Sequence, residues 1–394
     1  MVEKTNWASI NRALSFRGAV TLNTSRRLIV LAAGLVATFG YCAAARAGSE
    51  WGYPSSIEAT AVDPHDPALH GNCFWPTYYE SPLASTYVTA DLIGFQRDWD
   101  ALQTFATADT PTNPVLESHN LIFVYQPGLR LVAGRWLNDC TAIEGTFIGL
   151  LQWDESRAVV NSTVNDLGTA GNMFSPFTNF GDPPAVGFDY NYFARIRVIS
   201  EFNNAEINLR QEVAMPPSCI NASALFGVRY INIRDRFVYQ TESFEPVAAG
   251  TDTLGDVTAR NSLIGLQIGG TLDLQFERRA WLNLEFKGML FRNGTSQQTS
   301  YTAGPLAGGG ATVTGSHAHQ RATLGADLAA TFVWQLSPSL LVRCGYQAIF
   351  LDGLALGSDN FLRNVPVMTV DPNEIADDGH LAYHGPFAGA TLTW

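Results

Sequence analysis

"AWLNLEFKGMLF" occupies residues 280–291. In an extended chain Leu282, Leu284, Phe286, Gly288 and Leu290 share one face, and Asn283, Glu285 and Lys287 share the other. Successive side chains of a strand point to opposite sides, so this pattern predicts a strand over 281–291 with one oily and one charged face. A short link, 277–280, joins it to "SLIGLQIGGTLDLQF" (262–276), where Ile264, Leu266, Ile268, Leu272, Leu274 and Phe276 oppose Gln267, Thr271, Asp273 and Gln275. Downstream, "LGADLAATFVWQL" (324–336) sets Ala326, Leu328, Ala330, Phe332 and Trp334 against Asp327, Ala329, Thr331 and Gln335.

Working outward, the same period of two predicts strands at 87–96, 128–137, 142–152, 192–210, 223–238, 262–275, 281–291, 320–335, 340–350 and 385–394. No segment sustains a helical period. Alternation alone leaves open which face looks inward: a soluble sandwich buries the apolar face, whereas a membrane barrel turns it to lipid. The links decide. Those at 138–141, 211–222, 277–280 and 336–339 are short or moderate, and those at 97–127, 153–191, 239–261, 292–319 and 351–384 are long. They alternate strictly. An up-and-down membrane barrel has short turns at one end and long loops at the other. The expectation is therefore an all-β transmembrane antiparallel barrel of ten strands. Twelve is the alternative, with 120–126 and 192–203 each supplying a further strand.

The ending "GPFAGATLTW" (385–394) fits a closing strand, which must pair with the first because an open edge in lipid leaves N–H and C=O groups unsatisfied. Gly389, Leu392 and Trp394 also match the terminal pattern read by the outer-membrane barrel assembly machinery, although Phe387 stands where a polar residue is usual.

At the other end, Arg26 and Arg27 precede an apolar run to Ala45, and Ala45-Arg46-Ala47 is a cleavage signature. Residues 1–47 read as a secretory signal peptide. Residues 48–84, rich in Pro, Ser and Asp, read as a periplasmic leader, and 85–394 as the barrel. Residues 1–47 hold six of the 24 basic and one of the 36 acidic residues, which leaves 18 against 35, a net charge of −17. That balance disfavours nucleic acid as a partner class, since phosphate binding needs clustered Lys and Arg, and none is expected. It favours cations near the surface.

Several stretches resemble the putative beta-barrel porin family of planctomycete bacteria, the seventh of its porin series. They are "GLRLVAGRWLNDCTAIEGTF" (128–147), "AEINLR" (205–210), "LFGVRYINIRDRF" (225–237), "NSLIGLQIGG" (261–270) and "LVRCGYQAIFLDGLAL" (341–356). The likeness runs from about Thr86 to the end and implies an outer-membrane barrel among outer-membrane lipid. It carries no solute and no catalytic set.

Asp91, Glu144, Glu206, Arg229, Asp273, Glu285, Lys287, Asp327 and Arg343 fall on the faces assigned inward, with Asn208, Gln267 and Gln347. Ten strands enclose a narrow lumen. These charges are expected to pair across it as a polar core, or to line a small cation-preferring conduit. No cofactor is expected. A surface hydrolase is the alternative from another class, with His119 and Asp109, or His380 with Asp377 and Asp378, as dyads. An adhesin acting through its loops is a third. The residues Asp63, His65, Asp66, His70 and Cys73 fit no zinc spacing, and 371–379 fails the EF-hand pattern. Cys140 and Cys219 lie in links at the same end and are expected to bridge, with Cys73 as a rival partner. Cys344 falls on the lipid register as a free thiol. Trp281, Trp334 and Trp394 lie near the short-turn ends of their strands, where an interfacial girdle belongs.

Overall fold

Ten strands hydrogen-bond in a closed ring in the computed structural model, which describes residues 86–99, 102–110, 112–138, 140–168, 170–185, 187–213, 220–243, 253–303, 312–363 and 375–394. The expected signal peptide (1–47) and expected leader (48–84) lie outside the described residues, as does Cys219 and with it the expected bridge to Cys140. In chain order the elements are β1 (Thr86–Trp99), two short strands β2 (Thr104–Ala108) and β3 (Pro114–Glu117), β4 (Gln126–Asn138), β5 (Thr141–Val160), a two-residue β6 (Met173–Phe174) and β7 (Asn191–Val213). They continue as β8 (Ile220–Ser243), β9 (Thr253–Glu277), β10 (Ala280–Thr302), β11 (Thr312–Ser337), β12 (Leu340–Leu354), a short helix α1 (Gly357–Arg363) and β13 (Gly379–Thr393).

The ring runs β1, β4, β5, β7, β8, β9, β10, β11, β12, β13 and back to β1, antiparallel throughout. β2, β3 and β6 hang from β7 at the long-loop end. Of the two segments considered for a twelve-stranded reading, 192–203 is the first half of β7 and 121–125 forms no strand. Closure is complete at the chain end: Thr86 N–H donates to Trp394 O at 3.0 Å, and Trp394 N–H donates to Thr86 O at 3.0 Å.

The register fixes the slant of the strands. From Phe226 the ladder leads through Ile268, Gly288, Ala326, Phe350 and Ala382 to Asp98 on β1. In the other direction it leads through Leu209, Ile143 and Arg135 to Thr86, twelve residues earlier on the same strand. With about 3.3 Å per residue and about 4.8 Å between strands, that stagger tilts the strands by roughly 40° from the barrel axis.

The faces sort as the alternation requires. Leu92, Ile264, Leu266, Phe286, Leu290, Phe332 and Phe350 are exposed on the outside, Leu92 by 75% and Ile264 by 62%. Their neighbours Asp91, Gln267, Lys287 and Asp327 are buried inside. A continuous apolar belt around a closed sheet is a surface for hydrocarbon, not water.

Three details differ from the sequence reading. The long links were expected to start near 153, 239 and 292, yet β5 reaches Val160, β8 reaches Ser243, and β10 and β11 run to Thr302 and from Thr312. Their 23 and 26 residues exceed what a bilayer needs. At that tilt β11 measures about 65 Å along the axis against a belt of about 25 Å, so the wall projects well beyond the membrane. Out there both faces are polar: Thr295, Gln297 and Thr299 point inward, buried, while Ser296, Gln298 and Ser300 point outward. A run polar on both sides carries no hydropathic period. The third difference is Trp281, which shares the inward parity of Asn283 and lines the lumen mouth, whereas Trp334 and Trp394 stand outside, more than half exposed.

Candidate functional site: the lumen and its vestibule

At the short-turn end the lumen opens into a cavity of about 490 Å³. Its walls include Tyr87, Glu144, Arg210, Glu212, Asp273, Trp281 and Glu285. Glu144 receives Arg210 Nε at 3.0 Å and a hydrogen bond from the Tyr87 hydroxyl. Gly134 makes that placement possible, because a Cβ there would lie 2.2 Å from the Tyr87 ring. Asp273 accepts from Asn283 Nδ2 at 2.8 Å.

The cavity ends at a layer of charges in mid-barrel. Arg343 Nε is 3.4 Å from Asp91, which Arg130 also engages at 2.7 Å. Arg130 donates to Gln347 at 2.8 Å, and Gln347 donates to Asp327 at 2.9 Å. Arg229 donates to Asp327 at 2.8 Å and to Asn204 at 2.7 Å, and lies 3.9 Å from Glu206. Lys287 bridges Glu206 at 3.2 Å and Glu285 at 2.9 Å. One connected network thus crosses the lumen between strands that are not sheet neighbours. Charges taken out of water persist only when partnered in this way. Gly389 is part of the arrangement: it sits between Asp91 and Arg343 in register, and a Cβ on it would lie 2.4 Å from the Asp91 carboxylate.

All nine inward charges named from the sequence line this space, seven in the network and Glu144 and Asp273 in the vestibule. The alternation did not single out Arg130 and Arg210. Arg130 stands between Leu129 and Leu131, so its inward parity was readable. Nothing local marks Arg210 as the partner of Glu144, 66 residues away.

Beyond the charged layer the interior turns apolar. Phe95, Trp153, Phe202, Ile231, Ile233, Phe291, Ile349 and Tyr383 project from the wall and are fully or almost fully buried. Loop residues complete the filling. Phe361 of α1 packs against Phe105, Phe237, Tyr239, Phe177 and Tyr301 with ring centroids 5.1–6.4 Å apart. Polar wall residues hold the α1 segment by its backbone. Gly357 N–H donates to Asp235 at 2.9 Å, Ala355 N–H donates to Asn261 at 2.8 Å, and Asn261 donates back to Ala355 O at 2.8 Å. Asp235 is also paired with Arg97 at 3.0 Å, both side chains buried.

The surface dyads considered from the sequence take other forms. His119 lies 3.4 Å from Glu117, while Asp109 accepts from Asn172. His380 pairs with Asp352. Asp377 receives His319 at 2.7 Å and Arg321 at 2.9 Å. Burial pushes the Asp377 carboxyl up, but the His319 and Arg321 hydrogen bonds outweigh it and hold the group below the ordinary carboxylate value. Cys344 is an exposed free thiol on the lipid face. Among the described residues no group of three or more His, Cys, Asp or Glu could hold a metal ion.

Residues 89–378 match the sequence model of the family described as Putative beta barrel porin-7. No curated protein matches the chain in sequence. Among solved structures it is similar to the outer membrane protease OmpT from Escherichia coli, at 9% identity and a TM-score of 0.43, covering 79% of this chain and 97% of that one. It is also similar to a Pseudomonas aeruginosa FadL homologue, at 12% identity and a TM-score of 0.21 over 85% and 95% of the two chains. A third is the P. putida toluene transporter TodX, at 8% identity and a TM-score of 0.19 over 82% and 93%.

Proposed function

The chain belongs to the Putative beta barrel porin-7 family of outer-membrane barrels, and from that premise we propose that it is a conduit for small, preferentially cationic solutes that rests closed and performs no catalysis. The observation that carries this reading is the way the lumen is blocked. The vestibule ends at paired side chains and, beyond them, at loop segments docked on the wall, not at a constriction of the wall itself. Side chains and a docked helix can move without breaking the sheet. The mouth carries Glu212, Asp273 and Glu285 beside Arg210 and Lys287, and the chain as a whole is strongly acidic. Both favour cations over anions.

A structural reading stands beside it, in which the barrel only carries the projecting wall at the cell surface. The apolar filling of the long-loop half favours that reading, because a packed core of aromatic rings costs several kcal/mol to open. Planar-bilayer recordings separate the two. The wild type should be mostly silent, and Asp235→Asn with Phe361→Ala, which loosens the α1 plug, should give frequent cation-selective openings. Silence of the loosened variant, once shown to be folded, would leave the structural role.

A further inference from the structure

On the outer wall of β8 and β9, four cross-strand pairs stand one above another. Val228 opposes Leu266, Tyr230 opposes Ile264, Asn232 opposes Ser262, and Arg234 opposes Arg260. The first two pairs are exposed and form the upper rim of the apolar belt. The third is amide and hydroxyl: Asn232 Nδ2 lies 3.4 Å from Ser262 Oγ and 3.4 Å from the Tyr230 hydroxyl. The fourth sets two exposed guanidinium groups directly opposite each other.

Like charges directly opposed across a ladder are unfavourable. Neither arginine has a hydrogen bond or ion pair among the described residues. The acidic groups nearby are mostly committed: Asp256 pairs with Arg236 and Asp154 with Arg197, each at 2.5 Å. Glu201, in register with Arg234 on β7, is the remaining one, and Arg292 adds a further positive charge lower on β10, opposite Ile264. Across the barrel, by contrast, the outward charges at the belt's edge are Asp98 and Asp352, paired with His384 and His380. The basic region is a sector, not a ring.

We propose that this column binds the anionic phosphate headgroup of an outer-leaflet lipid, with its acyl chains lying on Val228, Leu266, Ile264 and Tyr230. The order of chemistry up the wall is that of such a lipid: hydrocarbon, aromatic boundary, neutral polar, cation. Each step of two residues rises about 5 Å along the tilted strands. That puts the Arg234–Arg260 pair about 10 Å above the Tyr230–Ile264 pair, where the flexible arginine stems reach the headgroup layer. A phosphate between the two guanidiniums converts their repulsion into charge-assisted hydrogen bonds.

The test uses the full barrel in neutral detergent, titrated with phosphatidic acid, with phosphatidylcholine and with inorganic phosphate, and reads bound molecules by native mass spectrometry. The wild type should retain phosphatidic acid over phosphatidylcholine, and Arg234→Ser with Arg260→Ser should weaken that retention about thirtyfold. Both residues are exposed, so the variant should keep the wild type's heat-dependent gel mobility. The control Arg195→Ser, on the same outer wall, should retain the lipid. Equal retention by the double variant overturns the proposal. Inorganic phosphate held as firmly as phosphatidic acid also overturns it, since the apolar steps would then contribute nothing.

Discussion

Arg229 and Asp327 meet 2.8 Å apart across the lumen, from β8 and β11, strands that are not neighbours in the sheet. Both side chains are essentially inaccessible to solvent. The contact braces two parts of the wall three strands apart in the ring and closes the vestibule at once. Arg229→Ala should destabilise the barrel by about 3–5 kcal/mol, because it strands Asp327 without its charge partner. Arg229→Met combined with Asp327→Leu should recover much of that loss. Denaturant unfolding in micelles measures both, and a double variant no better than the single one would count against the bracing role.

The α1 plug depends on one ring. Phe361→Ala removes the hub of five aromatic contacts and should cost about 3–5 kcal/mol. Amide exchange should quicken around Gly357 and Ala355, whose N–H groups are held by Asp235 and Asn261, while exchange in the belt strands stays slow. Uniform quickening along β8 and β12 would mean that plug and wall unfold together and that no separate gate exists.

The strands of the belt were legible because lipid on one side and a polar lumen on the other impose opposite demands at every second residue. All ten appear where the alternation of Leu282–Leu290 and its counterparts placed them. The strand ends were not legible. Above the membrane Thr295 and Ser296 are both polar although one is buried and the other is not. The inward parity of the nine lumen charges was likewise readable, but their partners were not: Arg229 finds Asp327 through the shear of the whole ring, which no local spacing records. The apolar plug was hidden for the same reason, since Phe105, Phe177 and Phe361 sit in links without period and meet only in three dimensions.

Variants at Gly389 and Trp394 test a packing role separately from the proposed targeting role. Gly389→Val should perturb the folded barrel itself, because a Cβ there meets Ala90 O at 2.1 Å and crowds Asp91. Trp394→Ala keeps the paired backbone hydrogen bonds to Thr86, so the purified barrel should be nearly as stable as the wild type. Its assembly in cells should nevertheless slow. Comparing heat-shifted and unshifted gel bands in refolded and cell-derived samples checks this; a Trp394→Ala protein assembled at the normal rate would remove the terminal signal from the account.

Asp377 gives the long-loop end a pH dependence. Its carboxyl is held below its ordinary value by His319 and Arg321 against the opposing effect of burial. A depressed carboxylate contributes stability that is present above its unfolded-state value near pH 4 and is lost as pH falls through the lower folded value. Amide exchange at Ala376 and Asp377 should therefore stay slow from neutral pH down to about 4 and accelerate below it. Asp377→Asn should already exchange faster there at pH 7; no difference between the two proteins at pH 7 would refute the role given to the carboxylate.

Cys344 lies on the outer face near the middle of the belt, with Phe332 and Ala388 as its cross-strand neighbours. A nitroxide attached there, in a protein whose other cysteines are serine and which is reconstituted in a phosphatidylcholine bilayer, reports directly on what the apolar stripes touch. Strong relaxation by oxygen with little by a water-soluble nickel chelate is the predicted result. The reverse, a label reached freely by the chelate and shielded from oxygen, would contradict a wall that faces hydrocarbon.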